Sequence, residues 1–561
     1  MPEEFKITVW SRLRPYYMEL ERRNIASKEE LEKWLLDWNE LSAFVEEEYG
    51  WRYIKLTLDV EDKKAVDYYQ YFIRELSPKI ALFVNRLNEK LMASRFVESL
   101  DRDKYFILIR ALKNDLALFR KENVTLLSDQ QMKSKEYGEV FSKITVEVDG
   151  KEMTVQQAMS LLENTNRTFR EEVYKKAWRS VIARKDRFEE IFDDLKTIRQ
   201  KIAKNAGFEN YRDYKFQAMG RFDYTVQDCL NFHDGIEKEI IPIIDTLNLE
   251  RKKALGVDEL RPWDMQVDIY GSQVKKITKD ADELIEKSIR CLESIDPFFG
   301  ECIAVMKEMG HLDLDSRQGK HPGGYNMPLY FTGVPFIFMN ATGNFMDIRT
   351  LLHESGHAVH SFLTRNMDLI ANKSLPSEVA ELASMTMELI SMEYWGVFFD
   401  DKEELRKAKI KQLEGALKTL SWVATIDSFQ HWLYTHPNHS QEERKDAWVS
   451  TVKRFESKVL NTNGLGDIVA GMWYRQLHIF EVPFYYIEYG MAQLGAIAIW
   501  KNYLEAPKEA LQNYINALKL GYSKPIGEIY KTAGIEFNFE AGYIRELATF
   551  VLAELDKLKR G

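Results

Sequence analysis

His353-Glu354-Ser355-Gly356-His357 is the stretch on which the reading of this chain turns. In an α-helix four residues turn about 400°, so the two histidines lie roughly 40° apart on one face. Their imidazoles can then share one zinc ion, and Glu354 sits beside that face, where it can take a proton from a water the metal activates. The spacing works only inside a helix. Asn344 or Asp347 is placed to cap one that runs through Ile348-Arg349-Thr350-Leu351-Leu352 into the motif and on to Phe362. Two ordinary histidines on a surface helix are the plain alternative. Gly356 adds a further expectation. Glycine inside a helix costs about 1 kcal/mol relative to alanine, so something packs closely there, and the helix bearing the next carboxylates is a candidate.

A catalytic zinc takes three protein ligands and keeps one position open. The metzincin pattern needs a glycine and a histidine where this chain has His360 and Leu363, which excludes that class. His360 lies a full turn past His357 and reads as a supporting or packing residue rather than a ligand. Two carboxylates follow, Glu378 and Glu381, in Pro376-Ser377-Glu378-Val379-Ala380-Glu381-Leu382-Ala383-Ser384. They are three residues apart and share a helix face, so spacing leaves both open as the third ligand. Glu378, in the first turn, also suits a plain role against the helix dipole.

Composition narrows the class. A chain of 561 residues has room for several helical layers or more than one domain. Apolar residues at 45% and charged ones at 30% are those of a soluble globular protein. The net charge of −10 argues against nucleic acid or an anionic membrane as the main partner. Cys229, Cys291 and Cys302 are scattered and make no CxxC pair, so a disulfide framework is not expected. Met1-Pro2-Glu3-Glu4-Phe5-Lys6 lacks the basic-then-apolar pattern of a secretory signal. No apolar run nears the ~20 residues that span a bilayer. A soluble, cytoplasmic protein is expected.

Helical periodicity dominates. Ser27-Lys28-Glu29-Glu30 reads as a capping box opening a helix through about Asn39, and Ser440-Gln441-Glu442-Glu443 as another. Residues 164–206, 402–432 and 505–520 carry amphipathic helical patterns. Strands are few. Ile144–Val148 and Lys151–Val155 flank Asp149-Gly150, a hairpin signal. A second β-like region begins at Gly323-Gly324-Tyr325-Asn326 and continues in Val334–Asn340. The glycines there read either as a turn or as a place where a peptide backbone can approach an edge strand. A soft boundary near residue 215 divides an N-terminal helical region, 1–215, from a catalytic region, 216–561, the two expected to form one compact unit. His431, His436 and His439 read as structural, beside a loop that precedes a capped helix. Gly220-Arg221-Phe222-Asp223-Tyr224 reads as a helix break with no evident chemistry.

The run from His353 to His360, followed by Glu381-Leu382-Ala383-Ser384, resembles the thimet oligopeptidase and oligoendopeptidase F family, its Pz-peptidase-like branch above all. Lys320-His321-Pro322-Gly323-Gly324-Tyr325, Pro335–Asn340 and the segment from His478 to Tyr489 resemble it too. The resemblance implies a mainly α fold. It further implies a large ellipsoid of many helices with a deep central channel and a small β element beside the motif helix. It implies an oligopeptidase holding one zinc per chain, acting on short peptides and excluding folded proteins. It assigns the third ligand to Glu381 and gives substrate contacts to His478 and to one of Tyr485, Tyr486 and Tyr489. The chemistry needs such donors, because the scissile carbonyl oxygen gains negative charge as it becomes tetrahedral. Taken without the family, Tyr, Phe and Ile at helical spacing would read as core. Two other activities are compatible with the same residues. A dipeptidyl carboxypeptidase would need an anchor for a free carboxylate, and an inactive peptide-binding protein would not need Glu354.

Overall fold

The computed structural model describes residues 6–269 and 276–560. Helices dominate it, and the strands form two small sheets, as a mainly α fold requires. No helix among the described residues is long and apolar enough to cross a membrane. The chain groups into two compact units, each drawn from three segments. The first comprises Met1–Ser128, Lys276–Leu405 and Gly495–Phe537; the second comprises Asp129–Lys275, Arg406–Leu494 and Asn538–Gly561. This interleaving differs from the division into 1–215 and 216–561 expected from sequence. Apolar periodicity says which face of a helix is buried but not which neighbour buries it.

In the first unit a helix runs from Lys28 to Leu58. The Ser27 side chain accepts from the Glu30 N–H, and the Glu30 carboxylate accepts from the Ala26 N–H at 2.6 Å. The helix passes well beyond Asn39, because its apolar stripe continues through the buried Leu41, Phe44, Val45 and Ile54. Ile54 packs on a small sheet through Leu329, Phe336 and Phe338.

The strands, in chain order, are β1 (Thr145–Val148), β2 (Lys151–Thr154), β3 (Leu312–Asp315), β4 (Tyr325–Met327) and β5 (Phe336–Ala341). β4 and β5 are the strands expected upstream of the motif. They pair antiparallel, and β3, which sequence did not suggest, pairs parallel with β5. The order β3-β5-β4 leaves one side of β4 unpaired within the sheet. Gly323 enters β4 at φ +100, a backbone conformation that favours glycine. An ideal Cβ on Gly324 would meet the Phe338 carbonyl oxygen at 3.3 Å, so the two strands are close there.

In the second unit β1 and β2 form the expected hairpin. Asp149 (φ 50) and Gly150 (φ 74) supply the two positive-φ positions that a two-residue turn needs. The amphipathic stretch beyond Asn164 resolves into helices Arg167–Ile182 and Lys185–Asn205. Ser440 caps Gln441–Phe455 with the full reciprocal box to Glu443.

Candidate metal centre

The motif lies on a helix spanning Phe345–Thr364. Both candidate caps take part. Asn344 accepts from the N–H groups of Met346 and Asp347 at 2.7 and 3.3 Å, and Asp347 accepts in return from the Asn344 N–H at 2.9 Å. Glu378 and Glu381 lie on the next long helix, Ser377–Ser391. The two helices touch backbone to backbone at Gly356. An ideal Cβ there would stand 2.6 Å from Ser384 Cα and 2.8 Å from the Ala383 carbonyl oxygen. The glycine expected to admit a close neighbour therefore admits the glutamate helix itself.

This contact brings three donor atoms together. Glu381 Oε2 is 3.3 Å from His353 Nε2 and 3.7 Å from His357 Nε2. The two imidazoles stand nearly perpendicular, with centroids 5.0 Å apart. Donors of a tetrahedral zinc, bonded at about 2.0–2.3 Å, stand roughly 3.3–3.8 Å from one another. The set of His353, His357 and Glu381 fits that ion. Glu378 is not in it; its backbone carbonyl accepts from Tyr530 Oη at 3.0 Å instead. His360 is also outside it, fully buried one turn on, with no hydrogen-bond partner for either ring nitrogen among the described residues.

A supporting layer holds the donors. His353 Nδ1 donates to Glu388 Oε1 at 2.7 Å, which leaves Nε2 as the bare donor facing Glu381. Arg349 Nε donates to the other Glu388 oxygen at 2.6 Å. Ser384 Oγ donates to Glu381 Oε2 at 3.0 Å. Tyr514 Oη donates to the Ala383 carbonyl oxygen at 2.7 Å and, with Tyr530, ties the glutamate helix down. Sequence reasoning passed over Glu388 and Arg349, although both carried a signal. Glu388 follows Glu381 by seven residues and Arg349 precedes His353 by four, so each shares a helical face with one of the three candidate ligands.

The electrostatics suit a cation. Three carboxylates, Glu354, Glu381 and Glu388, are each less than a tenth exposed, against the single guanidinium of Arg349. Burial alone would lower the pKa of His353, but Glu381 and Glu388 more than offset it and hold it well above the ordinary histidine value. Burial brings His357 down to about 4 and pushes Glu354 up to about 7. The backbone carbonyl of Glu354 accepts from Asn326 Nδ2 on β4 at 3.3 Å, so the sheet lies against the motif helix.

The remaining candidates divide between the units. Gly323, Gly324 and Tyr325 belong to the first, where Tyr325 stacks on Phe338 at 4.9 Å and its hydroxyl shares a 2.6 Å hydrogen bond with Thr57 Oγ1. His478, Tyr485, Tyr486 and Tyr489 belong to the second and form one cluster. The imidazole centroid is 6.1, 4.7 and 5.9 Å from the three phenol rings in that order. The ring state of His478 follows from its neighbours. Trp422 Nε1, which can only donate, donates to Gln476 Oε1 at 3.0 Å. The Gln476 amide nitrogen must then face His478 and donate to Nδ1 at 2.8 Å. The neutral ring therefore carries its proton on Nε2 and offers a donor there.

The turn before these tyrosines is also held. Phe484 adopts φ 67, a conformation that costs a non-glycine residue about 1–3 kcal/mol. Its N–H donates to Gln430 Oε1 at 2.8 Å, and its carbonyl accepts from Arg221, which also pairs with the buried Glu488 at 2.7 Å. Arg221, within the 220–224 break, thus fastens this turn.

Known proteins match this chain along most of its length. A model described as peptidase family M3 matches residues 160–549, and the M3 N-terminal domain model matches residues 3–119. The chain belongs to peptidase family M3. Among its curated relatives, oligopeptidase PepF of Bacillus subtilis is 26% identical over 310 residues, 54% of this chain and 45% of PepF. An oligoendopeptidase F homologue of Borreliella burgdorferi is 22% identical over 391 residues, 67% of this chain and 65% of that protein. The M3 chain thus matches about half to two thirds of the length of these relatives. Among solved structures, Pz peptidase A, determined with an inhibitor, is 27% identical, with a TM-score of 0.93 and 99% of both chains covered.

In this M3 chain Glu388 provides a direct test of the supporting layer. Glu388→Gln keeps the shape but removes the charge that His353 and Arg349 share. Metal affinity should fall about 10–100-fold, measured by competition against a chelator. An unchanged affinity would mean that the His353–Glu388 bond does not serve the metal.

Proposed function

We propose that the protein is a zinc-dependent oligoendopeptidase that cuts internal bonds of short peptides. One observation carries the reading: Glu381 stands at ligand distance from both motif imidazoles, with Glu354 between them in sequence on the same helix. His353, His357 and Glu381 would hold the ion. When bound, zinc polarises the scissile carbonyl and makes a water acidic enough to attack near neutral pH.

The chain's own groups then divide the work. Glu354 takes a proton from the attacking water and later passes it to the departing amine. Glu388 keeps the His353 Nε2 lone pair directed at the ion. His478, carrying its proton on Nε2, and a hydroxyl from Tyr485, Tyr486 or Tyr489 are the donors proposed for the developing oxyanion. Burial pushes the Tyr486 hydroxyl up to about 12, so it remains a donor across the working pH range. The free side of β4, entered through Gly323 and Gly324, is the proposed place where substrate backbone pairs as an added strand. The preference for short peptides over folded proteins is carried over from the family resemblance and accords with the relatives' names, oligopeptidase and oligoendopeptidase. A cytoplasmic location is proposed as well, on three scattered cysteines that form no disulfide with one another.

Product mapping on one internally quenched peptide of about ten residues tests the reading. Fragments from internal cuts, with little further trimming, are expected. Stepwise release of dipeptides from the C-terminus would instead establish a dipeptidyl carboxypeptidase. No cleavage by metal-loaded protein would leave only peptide binding.

A further inference from the structure

A second cluster lies in the other unit, far along the chain from the motif. Cys229 and His233 are four residues apart on the helix Val226–Gly235, and Asp427 and His431 are four apart on the helix Lys402–Thr435. Each pair therefore shares one helical face, and all four residues are buried. Donor atoms of Cys229, Asp427 and His431 lie within 4.8 Å of one another. His233 Nε2 is 2.9 Å from Asp427 Oδ2, and His431 Nε2 is 3.1 Å from the same oxygen.

The bland account is an aspartate held between two histidines, and the geometry does not favour it. Despite the 3.1 Å approach, His431 Nε2 makes no hydrogen bond, nor does its Nδ1, nor does Asp427 Oδ1, among the described residues. Each buried polar atom left without a partner costs about 1–3 kcal/mol. Two donors that approach this closely outside hydrogen-bond alignment are arranged as ligands are, around a shared third body. The charges agree: a thiolate and a carboxylate together neutralise one dication, so the filled site buries no net charge.

We propose that Cys229 Sγ, the Asp427 carboxylate and His431 Nε2 bind a second divalent ion of the zinc class, with His233 orienting the aspartate. Mixed sulfur and nitrogen donors select such ions over magnesium or calcium. Burial of all three ligands gives the ion a structural task, that of clamping the Val226–Gly235 helix to the Lys402–Thr435 helix.

Cobalt distinguishes this site from the motif site, because His353, His357 and Glu381 include no sulfur. Full-length protein, stripped of metal and reloaded with Co2+, should hold about two ions per chain and show a near-ultraviolet thiolate-to-cobalt charge-transfer band. Cys229→Ser should abolish the band and keep one ion; His357→Ala should keep the band and lose the other. Wild-type protein that binds one cobalt with no such band overturns the proposal, and that result needs no variant to fold. A band that survives in Cys229→Ser overturns it as well.

Discussion

Glu354→Gln should leave the metal content at the wild-type level and lower kcat/KM by about 10²–10⁴-fold, the usual worth of a positioned general base. The substitution keeps the size of the side chain and the place it occupies, and Glu354 is not among the three proposed ligands, so the ion has no reason to leave. What is lost is the ability to accept a proton. Most of the loss should fall on kcat, since proton transfer is made in the transition state rather than in the ground state. Parallel assays with an internally quenched peptide and metal analysis separate the outcomes. Equal activity in the two proteins would remove Glu354 from the chemistry. Loss of metal with activity would make it a structural partner of the site.

Gly356→Ala should be nearly as damaging by a wholly different route. An added methyl group would stand 2.6 Å from Ser384 Cα and 2.8 Å from the Ala383 carbonyl oxygen. Both are backbone atoms and cannot rotate away, so the helices must part. Overpacking of this kind costs about 1–3 kcal/mol, against roughly 1 kcal/mol regained from the better helix propensity of alanine. The larger consequence is for the donors. Separation of the helices moves Glu381 away from both imidazoles, and a displacement of about 1 Å at a reacting centre can cost roughly 10²-fold in rate. Weaker metal binding, lower kcat/KM and a modest drop in Tm should appear together. An alanine variant that melts and turns over like wild type would show that the two helices do not depend on this close approach.

What could be read from sequence alone divides by range. The motif helix, the β1–β2 hairpin and the Ser440 cap are fixed by residues a few positions apart, and each formed where expected. Glu381 is different. Spacing left it level with Glu378, and only the family resemblance chose between them; in the structure it is Glu381 that meets the histidines. Strand β3 went unseen because its parallel partner lies more than twenty residues on, and parallel pairing has no turn sequence to announce it. Gly356 was legible as a sign of close packing, since glycine in mid-helix is unfavourable unless something needs the room. Arg221, Gln476 and Trp422 were not, because the bonds of Arg221 to Glu488 and of Trp422 to Gln476 join residues 267 and 54 positions apart.

The interleaved segments bear on how the protein is made. Tyr514, whose hydroxyl holds the Ala383 carbonyl, follows it by 131 residues, and Tyr530 follows Glu378 by 152. Ribosomes add about 5–20 residues per second. The two helices that carry the proposed metal donors therefore leave the exit tunnel roughly 7–30 s before the tyrosines that tie them down. For that interval the nascent chain has its ligands but not their fastening. The fastening can be completed only after Tyr530 has been made, and a chain abandoned before that point is released without it.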